Sequence, residues 1–323
     1  MGKHSNFLEE IKQKKLTNYL PFLVLIVLSI GLEIATKGVL FSLANIGTMT
    51  NTIFPMIIVA MGAVFVYSHG GIDLSVGSLL GLCMMETLLI VGDSNVLTAG
   101  KMAVILLATI ATGFLVGLLN GLMTAKLKLQ PLIMTLCMNY ILRGIVTAVT
   151  ELNPAYAPAQ FSRYDNIYVK FILILVIVAG VILVFEKTRY GKNLKAIGGN
   201  EQTAKQSGIK VDNAKIAAYI IVGVTVAIAG SINVIRASMV RANTGSGFEI
   251  DIFLALLLGG IPLSGGAKVR SWCAVIGCVI LVILESGLLL CGLQHEHITI
   301  LKGLLFIGMV AMTFERSRGE AIA

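Results

Sequence analysis

Long runs of apolar residues alternate along this chain with short turns that gather most of its charge. A hydrocarbon core about 30 Å thick takes roughly 20 residues of α-helix, and backbone lying in it must satisfy its own N–H and C=O groups. The runs therefore predict helices at 19–36, 50–68, 75–92, 101–124, 130–150, 169–186, 214–236, 250–263, 271–291 and 298–314. The eighth is short. It and 75–92 each admit a re-entrant reading, which would lower ten spans to eight or nine. The expected fold is an all-α, polytopic transmembrane helical bundle. It comprises an N-terminal segment 1–18, a membrane domain 19–314 that includes a polar loop 187–213, and a tail 315–323.

Charge orients this bundle. Lys3, Lys12, Lys14 and Lys15, then Lys126 and Lys128, the seven Lys and Arg from Lys187 to Lys215, Lys268 with Arg270, and Arg316 with Arg318 all fall on one side if the spans alternate. Basic turns stay in the cytoplasm, so both termini are expected there. Only 13% of the residues are charged, against roughly 25% in a soluble domain, and no polar linker divides the chain. The net charge of +8 does not indicate a nucleic-acid partner, because the basic residues sit in short clusters between apolar runs and aromatics are 7%. Lys12, Lys14 and Lys15 before the first run resemble a signal peptide, but no small-residue cleavage motif follows, so the run reads as a retained helix. Cys83, Cys137, Cys273, Cys278 and Cys291 show no ligand spacing and read as small hydrophobic residues.

Catalytic patterns are missing from the sequence. Gly191-Lys192 is followed by Asn193 rather than Ser or Thr, so there is no phosphate-binding P-loop, and neither H-E-x-x-H nor G-x-S-x-G occurs. His295 and His297 flank Glu296 in a turn that reads as solvated rather than metal-binding. No metal or bound cofactor is expected. Gly113, Gly117 and Gly121 recur every four residues, as do Gly77 and Gly81, and such faces let membrane helices approach closely. Internal packing is the reading preferred, with a dimer face as the alternative.

Polar residues within spans are costly, and Glu86, Asn120, Asn139, Arg143, Arg236, Glu285 and Lys302 need a reason. Asn139 and Arg143 share one face of the fifth span, as a pore-lining pair would, or as half of an ion pair with Glu86 or Glu285. Asp73 and Ser75 stand at a helix start, where capping competes with a place in a translocation path. Gly70-Gly71-Ile72-Asp73-Leu74-Ser75-Val76-Gly77 and Gly259-Gly260-Ile261-Pro262-Leu263-Ser264-Gly265-Gly266 match at six of eight positions, the pattern of an internal repeat. The loop from Arg189 to Val211 contains a short helix in outline. Asn200 can cap it, Glu201 to Ser207 can form two turns, and Gly208 can end it in the left-handed region.

Three of these stretches together resemble one family, the permease subunits of bacterial ABC importers of the ribose, galactose and autoinducer type. They are Gly71 to Gly77, the loop from Arg189-Tyr190-Gly191 through Gly198-Gly199-Asn200 to Ser207-Gly208-Ile209, and Leu258-Gly259-Gly260 with Leu263-Ser264-Gly265-Gly266. The resemblance implies a multi-pass protein of the bacterial inner membrane. It also implies a second permease copy, a solute-binding protein that delivers substrate, and an ATPase subunit that holds the ATP and Mg. It assigns ATPase coupling to Gly198, Gly199, Asn200, Glu201, Ala204, Ser207 and Gly208, and leaves Asp73, Ser75, Asn120, Asn139 and Arg143 as candidates for the path. Ala267, Lys268 and Arg270 after Ser264-Gly265-Gly266, and Pro262 before it, depart from the family pattern. A gradient-driven transporter or channel, or an importer of a nucleoside or amino acid, is the alternative.

Overall fold

A computed structural model describes residues 20–92, 98–151, 155–156, 164–235, 237 and 239–320, with side chains through residue 311. The N-terminal segment 1–18 and Arg236 fall outside these residues, as do the side chains of Arg316 and Arg318. Twelve helices follow one another: α1 Leu20–Ala35, α2 Leu43–Ser68, α3 Val76–Val91, α4 Ala99–Ala125, α5 Pro131–Thr150, α6 Ile167–Lys187, α7 Arg189–Gly199, α8 Glu201–Gln206, α9 Val211–Asn233, α10 Phe248–Leu258, α11 Ser271–Leu290 and α12 His295–Glu320. A two-residue antiparallel ladder, β1 (Ala155–Tyr156) with β2 (Met239–Val240), ties the connection after α5 to the one after α9. Otherwise the regular structure described is helical.

Local chemistry sets many of the boundaries. Ser42, Thr98 and Asn166 cap α2, α4 and α6 by accepting from Asn45, Lys101 and Tyr168 N–H groups, and Pro131 opens α5, where its missing donor costs nothing. Each of the ten apolar runs contains a helix. Six of these, α2, α4, α5, α6, α9 and α11, are long and apolar enough to cross a membrane. The eighth run differs from expectation: α10 has only 11 residues, a rise of about 16 Å, roughly half the hydrocarbon thickness. An irregular stretch precedes it, with Gly247 at φ +84° as its N-cap. Within that stretch Thr244 N donates to Arg241 O and Ser246 N to Asn243 O, and Arg241 N donates to Thr244 Oγ1, so turns replace the helical ladder there.

Helix α9 forms the centre of the bundle, with α2, α3 and α4 packed around it. Against α4 it runs antiparallel at the closest approach glycine permits. A Cβ on Gly113 would lie 2.2 Å from Gly223 O, one on Gly117 2.5 Å from Tyr219 O, and one on Gly121 2.8 Å from Ile216 Cα. The three-glycine face is therefore an internal seam. Gly77 and Gly81 meet backbone of a different kind: their added Cβ atoms would strike Gly245 O and Thr244 O in the irregular stretch before α10. Lys302 on α12 reaches Asp251 on α10 at 2.9 Å and Glu285 on α11 at 3.2 Å, pinning the half-length helix to both neighbours.

Candidate coupling junction and polar path

At the end of the bundle where α2 and α10 stop and α9 and α11 begin, three connections share one atom. Ser68 O, at the last residue of α2, accepts from Gly266 N at 2.8 Å. A Cβ on Gly198 would lie 2.1 Å from the same oxygen and 2.6 Å from Gly266 N, and one on Gly265 would lie 2.4 Å from it. The Gly70 to Gly77 segment, the α7–α8 loop and the Gly259 to Gly266 segment are far apart in sequence, yet they meet without an intervening side chain. The end of α7 thus packs directly on the end of α2 and on the loop between α10 and α11.

The polar loop holds more structure than the sequence outlined. Its first half is a helix, α7, capped by Thr188, whose buried Gly191, Leu194 and Ile197 fall on one face. Gly191 is required where the chain reverses out of α6, because a Cβ there would overlap Phe185 O. Asn200 ends α7 and caps α8, accepting from Thr203 N at 2.9 Å, and Gly208 closes the unit at φ +82°. Glu201 pairs with Lys215 on α9 at 2.7 Å. Ala204 is buried, so it seats α8 against the bundle, whereas Glu201, Gln202, Thr203, Lys205, Gln206 and Ser207 face outward. Gly199 stands in open space. A residue that sequence reasoning passed over, Glu186 at the end of α6, joins three elements: it holds Lys195 of α7 at 2.6 Å and accepts from Ser271 N and Oγ at the start of α11. A lone acid among the basic residues at a span's end was the available signal.

Deeper in, Asp73, Ser75 and Asn120 are all buried and joined. Ser75 N and Oγ donate to Asp73 Oδ1 at 2.9 and 2.6 Å, and Asn120 Nδ2 donates to Ser75 Oγ at 2.9 Å. Ser75 makes no side-chain cap to α3: its backbone is in the helical region at φ −85°, not the extended one from which a cap oxygen reaches the first-turn N–H groups. Thr135 Oγ1 accepts from Leu74 N at 3.1 Å and Tyr219 OH donates to Ile72 O at 3.3 Å, so α4, α5 and α9 all hold this loop.

Arg143 lies apart from this group. Its Nη1 donates to Ala242 O and Thr244 O in the irregular stretch, not to Glu86 or Glu285 as an ion pair would require. The carbonyls turned free by the break before α10 are a closer match for a guanidinium than a distant carboxylate. Glu285 is engaged with Lys302, and Glu86 faces Thr112 of α4. Asn139, one turn from Arg143 and half-buried, makes no side-chain hydrogen bond among the described residues.

His69 sits beside the junction, edge-on to Tyr219 with ring centroids 6.0 Å apart. Burial, with Lys215 nearby, pushes its imidazole down to about 3, so it is neutral. Between the unfolded value near 6.5 and about 3 the native chain binds fewer protons than the unfolded chain. Stability is therefore full above about 6.5 and falls on acidification, by up to about 1.4 kcal/mol per pH unit. Measured as the difference from His69→Phe, thermal denaturation in detergent should show the wild type losing stability with this slope as pH falls from about 6.5 to 5.

The described residues thus form a helical bundle in which six helices are long and apolar enough to cross a membrane, with a polar appendage, α7 and α8, at one end. Residues 45–310 match the family described as branched-chain amino acid transport system / permease component, and the chain belongs to that family. It is 33% identical over 308 residues to the ribose import permease protein RbsC of Bacillus subtilis (strain 168), covering 92% of each chain. It is 29% identical over 316 residues to the galactose/methyl galactoside import permease protein MglC of Haemophilus influenzae, covering 91% of this chain and 93% of the relative. Over 277 residues it is 31% identical to the autoinducer 2 import system permease protein LsrC of Photorhabdus luminescens, covering 84% and 82%. No solved structure matches it. The chain is a multi-pass membrane permease of the simple-sugar ABC importer type, as its three motifs indicated.

Proposed function

We propose that this chain is one of two permease copies in a bacterial inner-membrane importer and moves a monosaccharide or a closely related solute delivered by a solute-binding protein. A separate ATPase subunit carries the ATP and Mg and seats against the outward face of α8. The ten-span reading places both termini in the cytoplasm and counts α10 with its irregular lead-in as one crossing. The observation that carries the coupling role is the fixation of α8. It is capped at both ends and joined through α7 to the end of α2 and the α10–α11 loop by the glycine contact at Ser68 O. A partner that closes on α8 therefore pulls on the helices that flank the polar path, alternating access between the two sides. The solute class is supported by what the relatives are named for: ribose, galactose and autoinducer 2.

Reconstitution tests the reading. In proteoliposomes, uptake of labelled ribose or galactose should require ATP, the ATPase subunit and the binding protein together. Gln202→Arg with Gln206→Arg, on the exposed face of α8, should lower that uptake about tenfold, a coupling loss near 1.4 kcal/mol, without changing thermal stability. Solute flux through the chain alone down a gradient, or normal ATP-driven uptake by the double variant, would refute it.

A further inference from the structure

The Asp73 carboxyl is buried in the bundle, and among the described residues no cation pairs with it. Of the titratable groups near it, Tyr67 is on α2; His69, just past the end of that helix, has a neutral ring. On α9 they are Tyr219 and, beyond His69, Lys215, whose ammonium is already paired with Glu201. α4 presents Asn120 and α5 presents Thr135, neither of which titrates. An ionised carboxylate in such a place is expensive unless it is paired, and Ser75 alone supplies its hydrogen bonds apart from the Asn120 amide, which also lies within reach.

A second observation points the same way. Asn120 is fully buried and its Oδ1 has no hydrogen-bond partner. Turning the amide over does not remedy this. The single proton of Ser75 Oγ lies on Asp73 Oδ1 at 2.6 Å, so Ser75 accepts from the amide, and Nδ2 must face it. The amide oxygen is left needing a donor, and the Asp73 carboxyl, within hydrogen-bond reach of the same side chain, becomes a donor when it binds a proton.

We propose that Asp73 and Asn120 form a proton-binding site, in which Asp73 is held as a neutral carboxylic acid whose O–H is donated to Asn120 Oδ1. The proton completes a chain of three hydrogen bonds, Asn120 to Ser75, Ser75 to Asp73 and Asp73 back to Asn120, and so ties the loop between α2 and α3 to α4. This is independent of the solute and of the ATPase partner.

The test uses the full chain in lipid nanodiscs. An infrared difference spectrum, wild type minus Asp73→Asn, should contain the C=O band of a carboxylic acid at pH 7, shifted in heavy water. An amide at 73 keeps the same donor without a proton to lose. Relative to Asp73→Asn, the wild type should therefore lose stability as pH rises from about 4, at up to about tenfold in folding equilibrium per unit, because the native chain holds a proton that the unfolded chain releases near 3.9. Asp73→Ala should be less stable than Asp73→Asn at every pH, since it leaves Asn120 and Ser75 unpaired. Carboxylate bands alone at pH 7, or parallel pH curves for wild type and Asp73→Asn, overturn the proposal. Should Asp73→Asn fail to fold, titration of the acid band in the wild type from pH 5 to 9 decides: its presence at pH 7 sustains the proton site and its absence removes it.

Discussion

Replacing Gly113 by leucine should prevent the bundle from forming, with a loss of at least about 3 kcal/mol measured by denaturant titration in mixed micelles. The contact at this position is backbone on backbone. A Cβ at 113 would stand 2.2 Å from Gly223 O and 2.8 Å from Ala227 Cβ, and the reciprocal Cβ at 223 would stand 2.0 Å from Gly113 O. Neither partner is the free end of a flexible chain, so relief requires α4 and α9 to separate along a seam that Gly117 and Gly121 continue for two further turns. Separation is costly here because α9 is also the helix that α2 and α3 pack on. In a membrane, where apolar contact with lipid competes with apolar contact between helices, close packing is the main attraction lost. Gly144→Ala on α5 is the control. Nothing lies within 4 Å of that site, and alanine in a helix should be neutral or stabilising by about 0.5–1 kcal/mol. Equal losses at 113 and 144 would show that the seam does not hold the fold.

What could be read from the sequence and what could not divide along physical lines. Helices in lipid are dictated by length and apolarity, both local properties, so every apolar run coincides with a helix. The short helix α8 was equally legible, because a cap at Asn200 and a left-handed glycine at 208 are local signals. Helix α7 was not. Its Arg, Lys and Gly residues read as solvated, and it folds because Leu194 and Ile197 find a surface built by distant elements. The break before α10 was visible only as a short apolar run. Its cause, a stretch whose carbonyls are taken up by Arg143 and whose backbone lies on Gly77 and Gly81, is a set of contacts between residues about 100 or more apart. For the same reason Ser75 read as a cap: sequence gives the helix start, but only Asp73 and Asn120 in place show where the hydroxyl proton goes. The matching glycine-rich segments are seen to touch, Gly70 beside Ser264 and Gly265 beside Gly70, which gives their glycines a shared packing role whatever their ancestry.

Gly198→Val should separate ATP hydrolysis from transport in the assembled importer. The adjoining glycine makes this a sharp comparison. At 198 a Cβ would stand 2.1 Å from Ser68 O and 2.6 Å from Gly266 N, so valine forces α7 off the point where the three connections meet. At 199 nothing lies within 4 Å, so Gly199→Ala meets open space. The remaining anchors of α7, buried Leu194 and Ile197 and the Lys195 to Glu186 pair, keep the helix on the bundle after the shift. The outward face of α8 is unchanged, so the ATPase should still bind and hydrolyse. On the coupling role proposed for α8, what is lost is the link by which its movement would reach the end of α2 and the α10–α11 loop. Uptake in proteoliposomes should fall about tenfold or more while hydrolysis stays within about twofold of wild type, a coupling loss of at least about 1.4 kcal/mol. Gly199→Ala should match wild type in both assays. If Gly198→Val transports normally, the contact at Ser68 O is packing and the drive must reach the membrane helices through α9. If hydrolysis and uptake fall together, the substitution has disturbed the docking face itself, and the force path through α7 is refuted in favour of one that begins and ends at α8.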